Sequence, residues 1–229
     1  MYKYRAEITK GEEIRYISHL DYAALVERAF CRSRLPITYS EGFNQRMKLA
    51  FASALAVGVT SDAEYLDFEL TKPLCQPEVF DRLSKALPGS VRLLRLKSYT
   101  EKHKALMAEA DLAKYEITLP LPVELSAADL AVKNFNAADR CVYHRVTPKK
   151  TREIEVKQYM KEDIRMQAEE QELKLWMDIV ITQSGSIKPG EILHILQHDF
   201  AMPIEEHQAL IVRRALLGHG KPLIELIEE

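Results

Sequence analysis

Hydrophobic and polar positions alternate with a period of two from Tyr2 to Ile8, which predicts a strand. From Ser18 to Arg34 the period lengthens. Tyr22, Val26, Ala29, Phe30 and Ser33 fall on one helical face, while Asp21, Arg28 and Arg32 fall on another. Pro36 ends that helix. Ile37 to Tyr39 and Met47 to Leu55 read as strands separated by the Gly42-Phe43-Asn44 break, and Tyr65 to Leu70 reads as another. Pro77 to Leu87 is a short helix opened by Pro77 and closed by Pro88-Gly89. Val91 to Tyr99 is strand-like, with arginines that predict one wet face. The order is strand, helix, strand, strand, helix, strand, the ferredoxin-like pattern.

A charged, helix-prone connector runs from Thr100 to about Leu112. The order of elements then recurs. Lys114 to Leu121 is a strand. Ser126 to Ala138 is a helix, with Ser126 as N-cap and Asp129 completing a capping box. Val142 to Thr147 and Glu153 to Val156 are strand pieces. Leu173 to Thr182 is a strand with Trp176 as a core residue, Pro189 to Asp199 is a helix, and Gln208 to Arg214 closes the set. The expected fold is therefore α+β: two ferredoxin-like (βαββαβ) halves in tandem, with antiparallel sheets and helices on one face. Residues 1–99 form the first half, 100–112 the connector, 113–217 the second half and 218–229 a tail. No residue-level repeat supports this reading, so a single larger α+β domain is the alternative.

The chain has 229 residues and a formal net charge of −2, which gives no global pull toward nucleic acid or an anionic membrane. No apolar run reaches the ~18 residues of a membrane span, and Met1-Tyr2-Lys3-Tyr4-Arg5 lacks the apolar core of a signal peptide. A cytoplasmic protein with no membrane association is the expectation. Cys31, Cys75 and Cys141 are odd in number and widely spaced, so no disulfide framework or CxxC motif exists, and three buried or half-buried thiols are expected.

Ser18-His19-Leu20-Asp21 begins the first helix. Ser18 and Asp21 suit a helix cap. His19 stands at the margin of the apolar face, where a helix N-terminus favours neutral imidazole. In a ferredoxin-like sheet the Gly58–Glu64 loop would face it, bringing Ser61, Asp62 and Glu64 near His19. Such a group could bind a cation or move a proton. In Ser40 to Lys48, Phe43 and Asn44 are followed by Arg46 and Lys48. With Arg28, Arg32 and Arg34 close before them, they could form a stacking and phosphate-binding surface. Lys149, Lys150 and Arg152 form a second basic tip. Gly185-Ser186-Ile187-Lys188-Pro189-Gly190-Glu191 turns into a helix whose N-terminus could take an anion, but P-loop spacing and GxGxxG are both missing from the sequence. No metal site, cofactor or catalytic residue is assigned, and no feature points to DNA.

These residues carry a family resemblance. Ser18 to Asp21, Arg28 and Arg32, Gly42 to Asn44, the Gly58-x-x-Ser61-x-x-Glu64 stretch, Lys150 to Val156 and Gly185 to Pro189 together resemble the radical SAM-linked protein family, a domain of unknown function. The resemblance is strongest up to about Leu70. It implies a protein, separate or fused, that works with a radical SAM enzyme. Where that family often has Pro-His-Pro after Gly-Phe-Asn, this chain has Gln45-Arg46-Met47. The sequence has no CxxxCxxC to ligate an iron–sulfur cluster. The expectation is an accessory module that presents a macromolecular substrate to a radical SAM enzyme, with RNA a possible substrate. The alternatives are an independent RNA-binding or RNA-processing protein and, third, an enzyme with a site at His19 and Glu64.

Overall fold

The computed structural model describes residues 2–100, 103–147 and 150–227, the side chain of Lys150 excepted. The chain is α+β and divides into two compact units. The first comprises Met1–Asp111 with Ala215–Glu229, and the second Leu112–Arg214.

In the first unit, β1 (Tyr2–Lys10) leads into α1 (His19–Ser33), β2 (Leu49–Phe51), β3 (Val59–Leu70), α2 (Gln76–Ala86), β4 (Leu93–Tyr99) and the single turn α3 (Leu106–Glu109). β1 lies between β4 and β3, antiparallel to both, and β2 pairs antiparallel with β3. Register sets the two faces. Tyr4 opposes Phe68 and Ala6 opposes Leu66, so this face meets Tyr22, Val26 and Phe30 of α1 and Val79 and Leu83 of α2 in one apolar core.

The opposite face is polar yet also covered. Arg5 is fully buried. It donates from Nε to Asp67 at 2.7 Å, and from Nη1 to Glu109 of α3 at 2.6 Å and to the Leu223 carbonyl at 2.8 Å. Beside it, the Tyr65 hydroxyl donates to Glu7, which also pairs with Arg95, and Arg95 reaches Glu225. Arg92, just before β4, and Arg95 of β4 are exposed, as the composition of that segment predicts, while Arg5 and Glu7 of β1 are covered by residues distant in sequence. Gly218 permits the closure, because a Cβ there would run into the Glu109 carbonyl oxygen and the Leu223 side chain.

In the second unit, β5 (Leu112–Pro120) is followed by α4 (Leu125–Ala137), β6 (Val142–Thr147), β7 (Lys150–Glu155), β8 (Arg165–Glu169), β9 (Glu172–Val180), α5 (Pro189–His198) and β10 (Leu210–Gly218), whose residues through Arg214 belong here. The strand order is β10-β5-β9-β8, and β6 and β7 form a separate antiparallel hairpin. Ala113, Ile117 and Leu119 of β5 and Leu173, Leu175, Met177 and Ile179 of β9 are buried, as are Phe135 of α4 and Ile192, Ile195 and Leu196 of α5. In the C-terminal segment, β11 (Lys221–Pro222) pairs with β10, and a 3-10 turn spans Leu223–Leu226.

Several expectations are corrected. The segment expected to be a loop from Gly58 to Glu64 is strand from Val59 onward. Of Met47 to Leu55, only Leu49–Phe51 pairs as strand. β8 was not foreseen: Met166 and Ala168 do alternate with Arg165, Gln167 and Glu169, but the segment is five residues long and none of them is fully buried. Helix α4 starts at Leu125, which puts Ser126 inside the first turn; Asp129 pairs with Lys133 one turn on, at 2.6 Å, rather than capping. Trp176 is half-buried on the face opposite the β9 core residues, as period two requires, and donates to Glu116. Cys31 and Cys75 are exposed, and Cys141 alone of the three cysteines is buried.

Candidate functional site

The N-terminus of α1 is fixed by its own cap. The Asp21 backbone N–H donates to Ser18 Oγ at 3.1 Å, and Ser18 Oγ donates to Asp21 Oδ2 at 2.6 Å. His19, the first residue of the helix, sets its ring edge-on to Phe51 at 5.4 Å between centroids, and Tyr22 packs on the same phenylalanine at 5.8 Å. Tyr22 is buried and donates to the Thr9 carbonyl at 2.8 Å. Burial first, and the Glu64 carboxylate second, push its phenol well above the ordinary value. Glu64 and Ser61 are themselves buried on β3, and Asp62 is half-buried. His19, Phe51, Tyr22 and Glu64 therefore share one neighbourhood, while Ser61 lies opposite Lys10 in the β1–β3 register.

The second group is a hairpin-like excursion before β2. Tyr39 bridges Met47, the Ser40 N–H donates to the Arg46 carbonyl at 2.8 Å, and the Arg46 N–H donates to Ser40 Oγ at 3.0 Å. Its stem is tied to β3 through the Ile37–Leu70 bridge, and Met47 packs on the core. Gly42 takes φ +114°, a conformation glycine adopts without strain. Glu41 to Arg46 are all exposed, and Phe43 is 103% exposed. Arg28 is exposed on α1. Arg32 spends its Nε and Nη2 donors on the Ala86 carbonyl at the end of α2, and Lys48 pairs with Glu69 at 3.2 Å.

In the second unit, Arg152 donates to the Ser184 carbonyl at 3.4 Å. Lys149 and the side chain of Lys150 lie outside the described residues. Arg145 clamps Glu191 from Nε at 2.7 Å and from Nη2 at 2.5 Å, and Glu191 accepts the Lys188 N–H at 2.8 Å. The carboxylate at this helix N-terminus is thus the helix's own.

Sequence reading passed over His194, His198 and Glu206. The two histidines are four residues apart on α5 and so share a face. Their rings lie 4.3 Å apart between centroids. His194 Nδ1 is 3.2 Å from Glu206 Oε1, and the Glu206 N–H donates to Gln197 Oε1 at 3.0 Å. Tyr143 packs edge-on to His194, and its phenol is raised by burial and then by Glu191 and Glu206. The H-x-x-x-H spacing inside a helix already foreseen was the available signal.

The family model described as "Uncharacterized protein conserved in bacteria (DUF2344)" matches residues 3–189. The chain belongs to this family. Family membership thus spans both units, and its description assigns no activity. No curated protein matches. Among solved structures, the chain is similar to one titled "Crystal Structure of an Unknown Protein from Galdieria sulphuraria". Identity is 8%, with 95% of this chain and 99% of that chain covered, and the TM-score is 0.25. Among the described residues, no helix is long and apolar enough to cross a membrane.

Proposed function

We propose that this DUF2344 chain is an accessory module that docks on a radical SAM enzyme and helps present a macromolecular substrate to it. Phe43 would be the docking anchor. The observation that carries this reading is the full exposure of Phe43 at the tip of a hydrogen-bonded hairpin whose stem is packed on the core. A large aromatic side chain held in water on a braced support is the kind of residue that anchors interfaces. The radical SAM partner comes from the sequence resemblance.

The fold reading extends in the same way. The orders β4-β1-β3 with β2 on β3, and β10-β5-β9-β8, support two ferredoxin-like units, the second carrying the β6–β7 hairpin as an insertion.

The test is affinity capture from the native host with the tagged chain and its Phe43→Ala variant. Recovery of a protein bearing CxxxCxxC by the wild type, and its loss from the variant, supports the proposal. Absence of such a protein from both, or equal recovery by both, contradicts it.

RNA binding is a second reading, favoured by Arg46 sharing the exposed tip with Phe43. It requires salt-dependent RNA retention weakened by Arg46→Ala. No retention at low salt removes it.

A further inference from the structure

We propose that His194, His198 and Glu206 form a binding site for a divalent transition-metal ion of the zinc class. Ligand atoms of the three residues lie within 4.8 Å of one another. His194 Nδ1 and Glu206 Oε1 are already 3.2 Å apart, near the roughly 3.3 Å edge of a tetrahedron with bonds of ~2.0–2.1 Å to zinc. His198 is exposed at the last turn of α5, so its ring can turn to complete the set without disturbing the core.

The surroundings hold these donors in place. Gln197, on the same helix, accepts the Glu206 N–H and so fixes the backbone of the third ligand. Tyr143 packs against the His194 ring. Partners of this kind orient the ligands of metal sites. The donor chemistry selects the ion. Two imidazoles and one carboxylate suit Zn2+, Co2+ or Ni2+, whereas Ca2+ and Mg2+ take oxygen ligands. Three protein ligands leave a fourth position for water or a ligand atom from another molecule, as in exchangeable or catalytic zinc sites. The ordinary alternative is a surface His–Glu ion pair with a neighbouring histidine. It explains the 3.2 Å contact but gives no reason for the second imidazole beside it.

The test uses the full chain without a histidine tag. It is titrated with Zn2+ alone by calorimetry and with Co2+ alone by visible absorption. The wild type should take one equivalent and give the intense visible bands of four-coordinate Co2+. Losing an outer-shell partner typically weakens metal binding ~10–100-fold, so His198→Ala and Glu206→Gln should each weaken Zn2+ binding at least ~10-fold. His207→Ala, which alters a histidine paired with Glu205 instead, should bind as the wild type does. Circular dichroism checks that each variant is folded; both His198 and His207 are exposed, so their loss should leave the fold intact. Three results would overturn the proposal: no binding by the wild type, binding unchanged in both His198→Ala and Glu206→Gln, or loss on His207→Ala but not on His198→Ala.

Discussion

Arg5 has its guanidinium out of water, with Asp67, Glu109 and the Leu223 carbonyl as acceptors. Its pKa is raised because the hydrogen bonds and charges of Asp67 and Glu109 outweigh the effect of burial. Removing one member of a buried pair typically costs about 3–5 kcal/mol, because the remaining charge loses its partner. Arg5→Met should lower the unfolding free energy by an amount in that range, read as a lower midpoint in urea, and adding Glu109→Gln should restore part of it. An unchanged midpoint would show that the cluster holds nothing together. Cys141 makes a different prediction. Burial, then Asp199 and Glu155, push its thiol up to about 11 from an ordinary 9.0. At pH 8 a thiol reagent should modify Cys31 and Cys75 and spare Cys141 until denaturant is added, which mass spectrometry of the labelled chain reads directly. Glu116 moves the other way, held below its ordinary 4.5 chiefly by the hydrogen bond from Arg214. Its stabilising contribution is present at neutral pH and is lost as pH falls through that lowered value.

Among the elements, β10 shows how close the first unit packs. Gly218→Ala would drive a methyl group into the Glu109 carbonyl and Leu223, and overpacking of this kind costs roughly 1–3 kcal/mol. A lowered thermal midpoint in Gly218→Ala is expected, with little change in Gly89→Ala, where a Cβ meets open space. Much of the element pattern was legible because it is local. β1, α1, α2, β9 and α5 each carry a full period of apolar positions within their own residues. What was not legible is long-range. Nothing near Arg5 or Glu7 announces that Glu109, Leu223 and Glu225 will cover them. The early start of β3 was hidden by Thr60, Ser61 and Asp62, whose composition is that of a turn. Of the candidate residues, the Phe43 turn was visible through Gly42 and its exposed neighbours, while the commitment of Arg32 to Ala86 depends on where α2 ends.

At the scale of the whole molecule, each unit of this DUF2344 chain builds an apolar core against its own strands. The first unit also carries one braced aromatic tip. Burying a Phe side chain is worth ~1.5–3 kcal/mol, or roughly ten- to hundredfold in affinity. Because Phe43 touches water on all sides, its truncation should leave the folded chain's stability unchanged, which separates a docking role from a structural one. The most direct measurement is the dissociation constant between the purified chain and a radical SAM enzyme from the native host, the partner class proposed above, compared for wild type and Phe43→Ala by biolayer interferometry. The account predicts saturable binding by the wild type, weakened ten- to hundredfold in the variant at an unchanged melting temperature. No binding by the wild type, or equal affinity in both proteins, would contradict it.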